Sequence, residues 1–257
     1  MNTQLHPHQK QELAELAEIA MRERGLEPRF SSAVRHQLDD ITGPSQDSGA
    51  DIADLTALPW CSIDNDDSRD LDQLTACEPL AGGAVKILVA IADVDALVAP
   101  DTPIDRHAQI NTTSVYTSAR IFPMLPEKLS TDLSSLNPGQ TRVAMVTEMV
   151  FQADGTLASS RIGRARVHNQ AQLAYDAVSA WLTGDGPLPA AAAAYAGMAQ
   201  QLRTQDSVAQ QLRANRREQG ALEFQTFQPK ALFDGDKVVD IRQQEQNRAR
   251  QIIEEFM

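Results

Sequence analysis

With 257 residues, 42% of them hydrophobic and 23% charged, the chain is long and apolar enough for one large domain or a domain plus an appendage. Its net charge of −12 argues against a protein that coats nucleic acid generically, which needs a basic footprint, but leaves room for an enzyme with a local basic groove and a metal ion supplying positive charge. Two cysteines, Cys61 and Cys77, without CxxC spacing argue against a disulfide framework or a zinc site; a polar start (MNTQLHPH) and the lack of any membrane-length apolar run point to a cytoplasmic protein.

Residues 9–24 read as a helix, with Leu13, Leu16, Ala17 and Ala20 at i, i+3, i+4, i+7 and Gly25 as the stop. A second helix is expected over 33–41, capped by Ser31 or Ser32, with Val34, Leu38 and Ile41 on one face. GPSQDSG (43–49) has linker composition, which puts a boundary near 43–55. From Leu58 the period changes. WCSI (60–63) reads as a short strand, and VKILVAIADV (85–94) as a strand buried on both faces. Residues 104–111 look helical. A hairpin is expected from strands 143–151 and 157–167 across Asp154-Gly155. Helices are predicted over 171–182 and 189–218, then a hairpin around Asp234-Gly235, then a helix from about Glu245. RARQIIEEFM (248–257) carries no stop signal, so the chain is expected to be the N-terminal part of a longer one.

The segment SIDNDDSRDLDQ (62–73) holds five aspartates, Asp64, Asp66, Asp67, Asp70 and Asp72, between apolar runs. Crowded carboxylates raise one another's pKa, and a cation among them relieves the repulsion. An EF-hand fails: counted from Asp64, Arg69 stands where glycine is needed and Thr75 where glutamate is needed. A magnesium phosphoesterase site fits better. Were residues 70–74 extended, Asp70 and Asp72 would point to one side, near Asp64 at the end of a strand. The plain alternative is a solvated acidic turn, and composition alone does not decide between them.

The order of the pieces does point one way. SIDNDDSRDLDQ, VAIADV (89–94), TSVY (113–116), PMLPEKLS (123–130), LSSL (133–136), GALEF (220–224) and NRARQIIEEFM (247–257) resemble, in order and spacing, motifs of the ribonuclease II (RNB) family. The resemblance covers about residues 58–257. It implies an α+β fold, a mixed β-sheet flanked by helices, for an RNB catalytic domain over 56–257, preceded by a helical extension over 1–55. It also implies a processive, hydrolytic 3′→5′ exoribonuclease that uses magnesium, with manganese as the alternative, and releases nucleoside 5′-monophosphates from single-stranded RNA. Carried over, Asp64, Asp70 and Asp72 fall on acidic, metal-holding catalytic positions. Glu254 matches a site glutamate near the terminal nucleotide, and Tyr116 and Phe224 match aromatics that stack the 3′-terminal bases. Such stacking tolerates any sequence, as a degradative enzyme requires. Asp93 reads as structural or supporting, and Arg120, Arg142, Arg161, Arg164 and Arg166 could supply phosphate contacts, although a solvated charged face is the expectation for most of them.

The chain departs from the family in three ways. Gln73 stands where the family has a fourth aspartate, and a neutral amide is a weaker magnesium ligand unless Asp66 or Asp67 compensates. Helical residues 1–55, read as helix-turn-helix-like, replace the family's OB-fold domains. The family's later phosphate-contacting arginine and S1-type RNA-binding domain lie beyond Met257. A catalytically impaired RNA-binding relative and a different magnesium phosphoesterase therefore remain the competing readings.

Overall fold

The computed structural model describes residues 9–46, 49, 51–222, 229–243 and 246–257. Helix α1 (Gln9–Glu23) comes first. Helix α2 (Ser32–Asp40) follows, capped by Ser31, whose hydroxyl accepts from the Val34 amide at 3.3 Å. Strands β1 (Ala53–Asp54), β2 (Cys61–Asp64), β3 (Gln73–Pro79) and β4 (Val85–Ala92) come next. Helix α3 (Pro103–Asn111) starts on a proline, whose missing N–H costs nothing in a first turn. The short strands β5 (Val115–Tyr116) and β6 (Ile121–Phe122) pair with each other. Strands β7 (Thr141–Phe151) and β8 (Leu157–His168) form the expected hairpin. At its turn Gly155 has φ 80°, and a Cβ there would stand 2.7 Å from Gln211, so only glycine fits.

Two helix expectations need correction. Residues 171–174 are a strand, β9 (Ala171–Ala174), and helix α4 (Tyr175–Thr183) begins only after it. The apolar AQLA segment gains more from pairing along β2, with Ala171 and Leu173 buried, than from one more helical turn. The helix expected over 189–218 is broken at Gly197 into α5 (Ala190–Ala193) and α6 (Met198–Glu218). The second expected hairpin is present as β10 (Pro229–Asp234) and β11 (Lys237–Gln243). The last helix, α7 (Arg248–Phe256), starts after the Asn247 cap rather than at Glu245, which lies outside the described residues. No described helix is long and apolar enough to cross a membrane.

The chain divides into two compact units. One gathers Met1–Thr42, Val98–Lys128 and Phe224–Glu245. Its best-anchored feature is Glu18 on α1, whose carboxylate meets Arg22, Arg29 and Arg120 at 3.0, 2.8 and 2.8 Å. The hydrogen bond from Arg29 holds the Glu18 carboxyl below its ordinary value, and the charges of the three arginines outweigh the cost of burial. In the same unit Asn111 bonds both backbone groups of Glu27, at 2.8 and 2.9 Å, and the buried His107 ring bridges Glu27 and Asn111.

The other unit holds Gly43–Leu97, Leu129–Glu223 and Gln246–Met257, including a seven-stranded sheet in the order β1-β8-β7-β4-β3-β2-β9. The sheet is antiparallel from β8 to β2, and β1 and β9 join its edges in parallel. Both faces are covered, which is why β4 reads as a continuous apolar run. One face packs Leu74, Leu88, Ala144 and Val167 under Trp60 and Leu136. The other packs Ile87, Val89 and Phe151 against α6 and α7 through Ala209, Ile252 and Phe256. Beside β2 and β9, Ile63 and Leu173 meet Val178, Leu202, Ala249 and Ile253. Polar clamps fix the register of this packing. Gln205 accepts from the Thr75 hydroxyl at 2.9 Å, and Gln201 accepts from the Cys77 amide at 3.1 Å. Helix α7 is tied to α6 by a bidentate pair, Arg248 to Asp206 at 2.7 and 2.9 Å, and by Arg216 to Glu255. Burial pushes the Cys61 and Cys77 thiols up to about 12, so both are free, inert core residues, in keeping with the absence of a disulfide framework.

Two predictions follow from these anchors. Arg248→Ala leaves the Asp206 carboxylate without its fork, so unfolding free energy should fall by about 1–3 kcal/mol, read from urea denaturation. For Glu18 the folded pKa lies below the ordinary 4.5, so its stabilisation is present above that value and is lost as pH falls through the folded pKa. Glu18→Gln should therefore melt below the wild type at pH 7, and the two melting curves should converge in acid. A gap that persists at pH 3 would assign the loss to packing.

Candidate active site

The site lies where β2 ends and β3 begins. Asp64 is the last residue of β2, and its neighbour across the parallel ladder is Ala174, just before α4. Asp72 directly precedes β3, with its carbonyl accepting from the Ala92 amide at 2.9 Å. Between them runs the loop 65–72. Only Gln73 onward is strand, so the expected extended run over 70–74 starts late. Leu71 is nonetheless buried between partly buried Asp70 and exposed Asp72, so the alternation that sends both aspartates away from the core holds. Asp66 and Asp67 sit exposed at the turn.

A buried serine holds this loop. Ser135, 1% exposed, accepts from the Leu71 amide at 3.1 Å, and its own proton has Asn137 Oδ1 at 3.1 Å. The Leu136 amide donates to the Leu71 carbonyl at 2.7 Å, and Gln172 Nε2 donates to the Ser68 carbonyl at 3.2 Å. The LSSL segment is thus the brace of the aspartate loop.

The electrostatics are those of crowded carboxylates. Burial raises the Asp64 carboxyl, and the Asp70 charge adds to that; the Asn65 amide, bonded at 2.7 Å, and the Ser68 hydroxyl oppose it, as does the charge of Arg250. Asp72 is also raised, first by desolvation, then by the charges of Asp64 and Asp70. The Tyr175 hydroxyl, at the start of α4, is pushed up to about 12 by burial and then by the Asp64 charge. Gln73 is buried, its side chain lies beside that hydroxyl, and its Oε1 finds no partner. Arg250 on α7 stacks on the Tyr175 ring at 4.3 Å and donates from Nη2 to Asn65 Oδ1 at 2.8 Å.

The oxygen-rich, mutually repelling donor set fits a hard divalent cation. Among the described residues, however, no three His, Cys, Asp or Glu side chains converge on one point. An ion bound here would take one or two carboxylates directly and be completed by water, substrate phosphate or the orphaned Gln73 oxygen, as magnesium commonly is. The site thus sets Asp64, Asp70 and Asp72 within one another's electrostatic field, with Gln73 beside the Tyr175 hydroxyl. Glu254 is exposed on α7, one turn beyond Arg250, and accepts from Gln246 at 2.6 Å. Tyr116 is 61% exposed on β5, in the other unit. Phe224 lies outside the described residues. Asp93 is paired with Arg164 at 2.7 Å, in keeping with a supporting role. Arg120, Arg161 and Arg166 pair with Glu18, Glu148 and Asp54, and Arg142 bonds the Thr141 and Asp132 carbonyls, so these cations serve the fold. Sequence reasoning missed Tyr175, hidden inside a mis-drawn helix, and Arg250, which stands one turn before Glu254 in a segment already singled out.

Ser135→Ala should speed hydrogen exchange at the Leu71 amide and lower stability by about 1–3 kcal/mol, the cost of a buried donor left without its acceptor. An unchanged exchange rate at that amide would show that Ser135 does not hold the loop.

Residues 52–257 match the RNB domain family. The chain is 35% identical over 242 residues to Ribonuclease R of Escherichia coli (strain K12), covering 93% of this chain and 29% of that protein. It is 33% identical over 238 residues to Exoribonuclease 2 of Salmonella heidelberg (strain SL476), covering 90% of this chain and 36% of that protein. Among solved structures it superposes on Mycoplasma genitalium RNase R in complex with ribose-methylated single-stranded RNA with a TM-score of 0.85 and 25% identity, covering 95% of this chain and 38% of that one. The chain thus spans about a third of the length of these relatives. With the mixed sheet, the ordered motifs and this match in agreement, the chain belongs to the RNB domain family.

Proposed function

We propose that the chain is the part of a cytoplasmic exoribonuclease that holds the catalytic carboxylates, acting on single-stranded RNA from the 3′ end and releasing nucleoside 5′-monophosphates. The observation that carries this reading is the pair of raised carboxylates, Asp64 and Asp72, crowded with Asp70 beside an orphaned Gln73 oxygen. Magnesium, or manganese, bound there would supply the positive charge that phosphodiester hydrolysis needs. Asp64, Asp70 and Asp72 are the residues that would hold that charge, one or two of them directly and the rest through the water they orient. Asp64 is fixed for this by the Asn65 amide, and the loop carrying Asp70 and Asp72 by Ser135. Tyr116 and Phe224 stack the terminal bases, each stack contributing roughly 1–3 kcal/mol without regard to sequence. Glu254 contacts the terminal nucleotide. The remainder of the catalytic domain and an S1-type domain complete the enzyme in a longer protein.

The test uses 5′-labelled single-stranded RNA of graded length, in magnesium or EDTA, with the wild type and Asp72→Asn. The wild type should shorten RNA from the 3′ end in magnesium only. Asp72→Asn should slow this at least about a hundredfold, the scale of losing one positioned catalytic group, while still binding RNA. RNA binding without shortening by the wild type would instead favour the impaired relative, to which the Gln73 amide points. Cleavage indifferent to RNA length would favour a small-substrate phosphoesterase.

A further inference from the structure

Arg250 is oriented as though for a ligand. Its guanidinium face is stacked on Tyr175 at 4.3 Å, one corner is pinned by the Asn65 amide oxygen at 2.8 Å, and its backbone is fixed by the Asn247 cap at 3.0 Å. That single side-chain hydrogen bond among the described residues goes to a neutral group, although Arg250 stands within the field of Asp64. Its Nε is buried with no acceptor. Beside the same tyrosine, the Gln73 side chain is more than nine-tenths buried and its Oε1 has no donor. Two side chains with unsatisfied polar atoms thus meet Tyr175 at the aspartate cluster, Arg250 on the ring face wanting an acceptor and Gln73 at the hydroxyl wanting a donor or cation. A buried donor without an acceptor is retained at a cost, and an oriented guanidinium fork matches the oxygens of a phosphate.

We propose that Arg250 is a substrate-binding residue that grips a phosphate oxygen of the nucleotide from the α7 side of the aspartate cluster. The proposal deepens the exoribonuclease reading and rests on it for the identity of the phosphate's owner. Its chemistry is that of a nucleoside 5′-phosphate.

The experiment is calorimetric titration of the full chain in magnesium with adenosine 5′-monophosphate and with adenosine, which differs only in lacking the phosphate. AMP contains no phosphodiester, so binding is read without turnover. Wild type should prefer AMP. Arg250→Ala should weaken AMP about tenfold or more, the loss of a charge-assisted fork, and leave adenosine unchanged. Equal AMP affinity in the variant, an equal loss for both ligands, or no preference for AMP in the wild type would each overturn it. Should Arg250→Ala unfold, Arg250→Gln, which retains the stem without the charge, decides by the same criteria. RNA shortening by the wild type is scored in parallel. Shortening with an AMP preference that ignores Arg250 overturns this inference alone. An Arg250-dependent AMP preference without shortening, either by this chain or by the full-length gene product that contains it, upholds it and overturns the exonuclease reading.

Discussion

The constraint on which the rest depends is the burial of negative charge at the end of β2. A strand flanked on both sides by other strands, with both faces packed, delivers the Asp64 carboxylate into a place where water solvates it poorly. Asp70 and Asp72 are then brought alongside by a loop that cannot swing away, because Leu71 is buried between them and Ser135 holds its amide. Fold stability thus sets the carboxylates against one another. The sheet's burial holds them close, and their repulsion is what makes a cation welcome.

The helices serve the same end. Helix α7 contributes apolar residues to two packed clusters, and its pairs to α6 fix its position. A helix so fixed presents residues on its other flank with little freedom, and Arg250 is one of them. The guanidinium therefore reaches Tyr175 and Asn65 by construction of the core rather than by pairing with a carboxylate. The rigidity that α7 gains from Ile252 and Phe256 is the rigidity a substrate-gripping residue needs.

Much of this was legible in the sequence. The continuous apolar run VKILVAIA and the Asp154-Gly155 turn locate β4 and the β7–β8 hairpin, because burial on both faces and a positive φ leave compositional marks. The aspartate segment stood out because so many carboxylates seldom crowd without a cause. What was not legible depended on partners distant in the chain. AQLA looks helical until β2 is there to pair with it, and Tyr175 was lost with it. The Ala190–Glu218 tract looks like one helix because alanine favours helix on either side of the Gly197 break. Ser135 and Arg250 carry no signal of their own. Each matters through a hydrogen bond to a residue 64 or 185 positions away, a separation that local pattern cannot see.

Gln73 and Arg250 make better sense together than apart. A fourth carboxylate at residue 73 would add a negative charge beside Tyr175, where the desolvation cost is already high enough to push the phenol up to about 12. The amide avoids that cost and still presents an oxygen, while Arg250 adds a positive charge on the same side. The net negative charge of the cluster is lowered on its α7 flank and left high on the loop flank, where Asp70 and Asp72 stand. Such a gradient suits two ligands of opposite sign, a cation on the loop side and a phosphate on the helix side. On that reading neither would be held at full strength alone: among the described residues no three acidic side chains converge to cage an ion, and the Asp64 charge that Arg250 feels opposes a phosphate beside it. On the proposed reading, each ligand's binding would lower the electrostatic cost of the other's, coupling cation affinity to substrate through the charges of Asp64 and Arg250, which stand in one another's field without bonding.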